Sequence, residues 1–191
     1  MIQIYHQEIG DMWYAVALEN ERVLATAFSP NEGKAIEYLL EHLPYNKPFM
    51  VAEEPNPSSM NLLKTLRMIF DGKEVSYKFD TDMDYLSQYS QKVLQCTSLI
   101  TIGYFTTYGA ISKIVGGSPR AVGRALASNP FSLLIPCHRV ARADFTIGGC
   151  SFGEKTKMEL LQREDRGYEE PMKLKVYGGI LPVFPIKYLK R

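Results

Sequence analysis

Between residues 86 and 143 the chain contains no aspartate and no glutamate. Lys92, Lys113, Arg120, Arg124, Arg139 and Arg142 lie in that span, which gives 58 residues a charge of +6. Residues 1–85 are the reverse, with 14 acidic against 7 basic side chains, and residues 144–191 return to near balance with 9 basic and 7 acidic. The net charge of +1 over 191 residues conceals this division. Segregation on this scale favours two parts with different surfaces over one uniformly charged globule. An acid-free basic block is what a phosphate-facing surface requires, although a chance run of surface lysines and arginines would look the same.

The acidic connector Asp80-Thr81-Asp82-Met83-Asp84 marks the expected junction, so the predicted division is 1–84, 85–167 and a tail over 168–191. In the first part, residues 2–5, 12–18 and 23–28 are rich in branched and aromatic side chains and read as strands. Ala35, Ile36, Leu39, Leu40 and Leu43 have helical spacing, as do Leu62, Leu63, Leu66, Ile69 and Phe70, the second set following Ser58 or Ser59 as cap. Glu53-Glu54-Pro55-Asn56-Pro57 is a loop between them, and residues 75–79 are a short strand candidate. The tail, with Gly178-Gly179 and two prolines in an apolar stretch, reads as an extended segment packed on the body.

The basic part is helical. Leu86, Tyr89, Val93 and Cys96 follow near-helical spacing, which makes Cys96 a core residue. A second helix over 108–115 ends at Gly116-Gly117, and a third begins with Ser118 as cap and Pro119 in the first helical position. Two short helices joined this way form a helix-turn-helix. In the third helix Val122, Ala125 and Leu126 make the apolar stripe, while Ala121, Gly123 and Ala127 leave the other faces small. Such a face can approach a narrow minor groove, or pack closely on another helix.

After that helix the apolar run 131–135 leads to Pro136-Cys137-His138-Arg139-Val140. A thiolate is a strong nucleophile, and a neighbouring histidine can take its proton; adjacent side chains diverge, so contact through a water is the natural arrangement. Alone, a Cys-His pair more often marks a buried, inert thiol. Gly148-Gly149-Cys150-Ser151-Phe152-Gly153 reads as a glycine-rich loop against a pocket, followed by a helix over 154–166. In that helix Glu164 stands three and four residues after Leu161 and Leu160: either it lies on the buried face, where a carboxylate needs a partner such as His138, or it is a helix-end surface acid curling outward.

No run approaches the ~18 apolar residues of a membrane span. The first residues lack a signal-peptide pattern, so a cytoplasmic protein is expected. Cys96, Cys137 and Cys150 are too few and too irregular for a disulfide framework or a metal site.

These residues resemble the O6-alkylguanine-DNA alkyltransferases. The resemblance runs from Tyr104 to about Glu164 and rests on Pro136-Cys137-His138-Arg139-Val140 and on Ser118-Pro119-Arg120-Ala121-Val122-Gly123-Arg124-Ala125-Leu126. Asn129, eight residues before Cys137, and Glu164, 27 residues after it, keep the family's spacing. The resemblance implies an α+β protein: a ribonuclease-H-like α/β domain over 1–84, then a helical, winged-helix-like DNA-binding and catalytic domain. It implies irreversible, single-turnover transfer of an alkyl group from a flipped guanine of double-stranded DNA to Cys137. His138 would be the base, Glu164 its orienting carboxylate, and Tyr108 the group that rotates the adjacent phosphate and protonates the departing base. Arg120 would fill the stack, Asn129 brace the turn, Val140 offer backbone to the guanine edge and Ser151 bond its oxygen, with Ala121, Gly123, Arg124 and Lys113 on the DNA. Cys150, where many members have tyrosine, and Ser132, where some have proline, bear on pocket width. No metal and no cofactor is expected, since no cysteine precedes residue 96 and only His6 and His42 are available for an N-terminal site. A monomer is expected. A lesion-binding relative without transfer, or a thiol hydrolase on small substrates, are the competing readings.

Overall fold

The structure is a computed structural model that describes residues 1–76, 78–177 and 179–190. It divides into two compact units, one of residues 1–86 with 130–134, the other of residues 87–129 with 135–191.

The first unit is built on three consecutive antiparallel strands, β1 (Ile2–Ile9), β2 (Met12–Glu19) and β3 (Arg22–Ser29), with β4 (Phe49–Val51) added parallel to β1. The β2–β3 hairpin turns on Asn20 and Glu21, both at positive φ, as a two-residue connection matched to strand twist demands. Pairing sets Ala15 opposite Ala27 and Ala17 opposite Ala25 on one face. These small side chains form a core with Ala35 and Leu39 of helix α1 (Glu32–Glu41). The next residues along the strands, Tyr14 and Phe28, meet Phe70 of helix α2 (Pro57–Phe70). The sheet therefore carries a helix for each face. The edge of β3 is covered: Thr26 donates from its N–H to the Pro130 carbonyl and from Oγ1 to the Ser132 carbonyl, while the acidic connector pairs with Val23. Arg22 reaches Asp80, Asp82 and Asp84 of that connector.

Two expectations for this unit change. Helix α2 is capped by Asn56, whose side chain accepts from the Ser59 N–H at 2.8 Å, so Ser59 is a buried helical residue and not the cap. Pro57 at the first helical position fits that start, because its missing N–H is one the helix leaves unpaired anyway. No strand forms at residues 75, 76, 78 and 79; Tyr77 lies outside the described residues.

The second unit begins with α3 (Gln88–Ser98), β5 (Tyr104–Thr107), α4 (Tyr108–Val115) and α5 (Pro119–Ala127). Helices α3, α4 and α5 each start on a hydroxyl cap, Ser87, Thr107 and Ser118, a device worth about 1 kcal/mol each. A 3-10 turn (Cys137–Arg139), β6 (Val140–Ala141) and α6 (Glu154–Glu164) follow. Helix α6 stops at Glu164, two residues short of expectation, because Asp165 is already extended. The stretch read as an extended tail is instead a hairpin, β7 (Met172–Val176) with β8 (Gly179–Pro185), in a sheet of order β6-β5-β8-β7. Pro182 and Pro185 argued against a strand there; Gly178 lies outside the described residues.

Candidate active site

Helix α5 ends at Ala127, and the buried Asn129 just beyond it donates from Nδ2 to the Ile135 carbonyl at 3.1 Å. The Cys137 N–H donates to that same carbonyl at 2.8 Å, so one acceptor ties Asn129 to the first residue of the 3-10 turn. The turn sends successive side chains in different directions. Cys137 faces a cavity of about 520 Å³ walled by Tyr108, Pro119, Gly123 and Ala127 on one side and by residues 148–151 on the other. His138 and Arg139 point the other way, to helix α6.

There, Glu164 is 0% exposed and takes three charge-assisted hydrogen bonds: His138 Nε2 to Oε1 at 2.9 Å, Arg139 Nε to Oε2 at 2.7 Å and Arg139 Nη2 to Oε1 at 2.9 Å. Arg139 Nη1 also donates to the Ile100 carbonyl. Burial acts to raise the Glu164 pKa, but His138 and Arg139 outweigh it and hold the carboxyl near about 2. A carboxylate at Oε1 places a proton on Nε2, which leaves Nδ1 as the ring nitrogen for a proton acceptor's role.

The thiol is set up differently. Burial, with the Cys150 thiol as a second cause, pushes the Cys137 pKa to about 11, against the pull of an Asn129 hydrogen bond and the Lys157 charge. The resting nucleophile is a neutral thiol. Tyr108 is likewise raised by burial and then by Cys137 and Cys150, so its phenol stays protonated. Gly148, at φ +69°, lies where a Cβ would come within 3.3 Å of the Tyr108 ring and hydroxyl, so a side chain there would be strained in backbone and tight against Tyr108.

Lys157 is a site residue that the sequence reading missed. It is 1% exposed, and its Nζ donates to the Val140 carbonyl at 2.7 Å and to the Gly149 carbonyl at 3.5 Å, 5.9 Å from the centre of the Tyr108 ring. Burial lowers its pKa, with the two thiols opposing. Lys157, Leu160, Leu161 and Glu164 occupy positions i, i+3, i+4 and i+7 of one helix face, so the spacing that singled out Glu164 also contained Lys157. Arg139, counted in the basic block and in the motif, supplies two of the three bonds to Glu164, so its charge is taken up there.

Other expected residues lie as follows. Arg120, Arg124 and Lys113 are exposed, and Ala121 and Gly123 are half-buried on α5. Ser151 lines the cavity, where its Oγ donates to the Ala127 carbonyl at 3.1 Å. The Val140 N–H donates to the Cys137 carbonyl, and the Val140 carbonyl accepts from Lys157 and keeps a second lone pair. Ser132 is buried in the turn beside β3, where its carbonyl accepts from Thr26 Oγ1. Among the described residues no group of histidine, cysteine and carboxylate side chains could hold a metal ion.

The thiol thus faces a cavity walled in part by the helix-turn-helix, and the histidine next to it in sequence is held by a buried carboxylate. The family model described as 6-O-methylguanine DNA methyltransferase, DNA binding domain, matches residues 88–166. A methylated-DNA–protein-cysteine methyltransferase of Methanocaldococcus vulcanius is 30% identical over 161 residues, 82% of this chain and 94% of the relative. That of Methanothermobacter thermautotrophicus is 40% identical over 111 residues, 58% of this chain but 63% of the relative. The crystal structure of the O6-methylguanine-DNA methyltransferase of Pyrococcus kodakaraensis matches the fold with a TM-score of 0.66 at 24% identity, over 86% of this chain and 99% of that one. The chain belongs to the methylated-DNA–protein-cysteine methyltransferase family.

Proposed function

We propose that the chain repairs O6-alkylguanine in double-stranded DNA by taking the alkyl group onto Cys137, once per molecule. The observation that carries this reading is Cys137 lining a cavity against α5 while its neighbour His138 is bonded to the buried Glu164. The damaged guanine, flipped from the minor-groove side, occupies the cavity. The sulfur attacks the alkyl carbon, the bond from that carbon to the guanine oxygen breaks, and its electron pair leaves with the base. The Sγ proton passes through a water to His138 Nδ1, and the charge that appears there is stabilised by Glu164. The Tyr108 phenol supplies a proton to the departing guanine. Because a thioether does not revert, the protein is consumed.

Asn129 braces the turn, Ser151 bonds the guanine oxygen, Arg120 fills the vacated stack, and Ala121, Gly123, Arg124 and Lys113 meet the DNA. The order of helices and strands around β5 supports a winged-helix-like second domain, and the β3-β2-β1-β4 sheet supports a ribonuclease-H-like first one. No helix among the described residues is long and apolar enough to cross a membrane. A monomer in a reducing, cytoplasmic setting is part of the proposal, because Cys137 must remain a thiol. The hydrolase reading is disfavoured by the acid-free basic block and by the exposed Arg120 on α5, which a small substrate would not need, and the lesion-binding reading by the presence of Cys137.

Incubation with O6-methylguanine duplex should raise the intact mass by one methylene at Cys137 and then stop; multiple turnover would refute the proposal. Two arginine variants should separate. Arg124→Ala is expected to weaken binding to any duplex and to reduce the salt slope by about 1. Arg120→Ala is expected to slow repair in duplex while leaving transfer from free O6-benzylguanine nearly unchanged. An equal fall with the free base would mean that Arg120 holds the pocket instead.

A further inference from the structure

The family model ends at residue 166, and the β7–β8 hairpin lies beyond it. Strand β8 pairs antiparallel with β5, the strand that runs directly into α4, so the hairpin is built onto the entrance of the helix-turn-helix. Alternation along β7 turns Met172, Leu174 and Val176 inward and leaves Lys173, Lys175 and Tyr177 exposed. Three contacts fix it in place. Gly179 packs so closely on α4 that a Cβ there would stand 3.3 Å from Ile114, Tyr177 donates its hydroxyl proton to Gln95 of α3 at 3.2 Å, and Thr106 Oγ1 donates to the Pro182 carbonyl at 2.7 Å. Lys113, exposed on the last turn of α4, is the sequence neighbour of that Ile114. Lys187 of the same segment is bonded to Glu169, whereas among the described residues Lys173 and Lys175 take part in no ion pair.

We infer that the hairpin is a second DNA-contacting element, a wing in which Lys173 and Lys175 grip the phosphates of the duplex flanking the site engaged by α5. This inference rests on the proposed repair of duplex DNA and extends it to a segment outside the matched family model. The partner is the backbone, because two lysines on a rigid strand supply charge without any group that reads a base edge. Continuity favours the same duplex: Gly179 of β8 abuts the helix that carries Lys113. The plain alternative is that the lysines only protect the exposed edge strand β7 from pairing with other chains.

The test is the salt dependence of binding to an O6-methylguanine duplex, read by fluorescence anisotropy, for wild type, Lys173→Gln/Lys175→Gln and Lys173→Arg/Lys175→Arg. Each phosphate contact contributes about 0.9 to the slope of log K against log salt, so the glutamine pair should flatten it by roughly 2 and weaken binding at low salt on the order of tenfold. The arginine pair should restore both. Circular dichroism and melting of all three proteins keep a misfolded hairpin from passing as a lost contact. A wild-type slope in a folded glutamine pair overturns the wing and leaves the lysines as edge protection. A wild-type protein that neither binds nor repairs the duplex overturns the function on which the wing rests.

Discussion

Replacing Cys137 by serine should abolish alkyl transfer while leaving binding to alkylated duplex intact. Burial has already pushed the thiol's pKa to about 11, and a hydroxyl in the same place would ionise far less readily. Single-turnover transfer and intact mass check this together: wild type gains one alkyl group and the variant none. Repair by the variant would mean that another residue reacts, and Cys150, which lines the same cavity, is the first to examine. The raised value also predicts a pH profile. Below about 11 the thiolate fraction grows tenfold per pH unit, so the reaction of Cys137 with iodoacetamide should climb steadily between pH 7 and 9. A plateau in that window would show a thiol already ionised at neutral pH.

Glu164→Gln should reduce transfer 10²–10⁴-fold, about the range of a general-base contribution, with partial recovery as the pH is raised. It should also destabilise the second unit. The variant strips Arg139 of its carboxylate in a site with no exposure at Glu164, and breaking a buried pair costs about 3–5 kcal/mol. The wild-type acid response follows from the same contacts. With the folded carboxyl at about 2 and an ordinary value of 4.5, the unfolded chain binds the proton first as pH falls. The stabilisation is complete above pH 4.5, on the order of 3 kcal/mol, and is lost as the pH drops through about 2. Urea unfolding between pH 7 and 2 should show that slope in wild type and not in the glutamine variant. A variant with wild-type rate and wild-type stability would reduce Glu164 to a bystander.

The parts of this molecule that could be read from sequence are those where a local rule acts alone. Ser118 and Pro119 announce the start of α5 because capping and a missing N–H are properties of adjacent residues. Glu164 could be placed beside His138 because helix phase turns a sequence interval into a direction. Lys157 obeyed the same phase and was overlooked because a lysine is expected to reach water; here its ammonium ends on two backbone carbonyls instead. The failures are tertiary. The terminal hairpin hid behind two prolines, whose presence in β8 depends on the pairing partners β5 and β7 supply. Asn56 took the cap from Ser58 and Ser59, since several acceptors in a row leave the choice to the path of the loop.

The bonds that finish β3 bear on the order in which this protein can be made. Thr26 meets Ser132 across an interval of 106 residues. At a synthesis rate of about 5–20 residues per second, the outer edge of β3 leaves the ribosome roughly 5–20 seconds before its covering segment exists. During that interval an antiparallel sheet stands with an open side, the state in which strands recruit strangers. The completed edge needs residues 130–132, so β3 stays open on that side until more than a hundred later residues have been made.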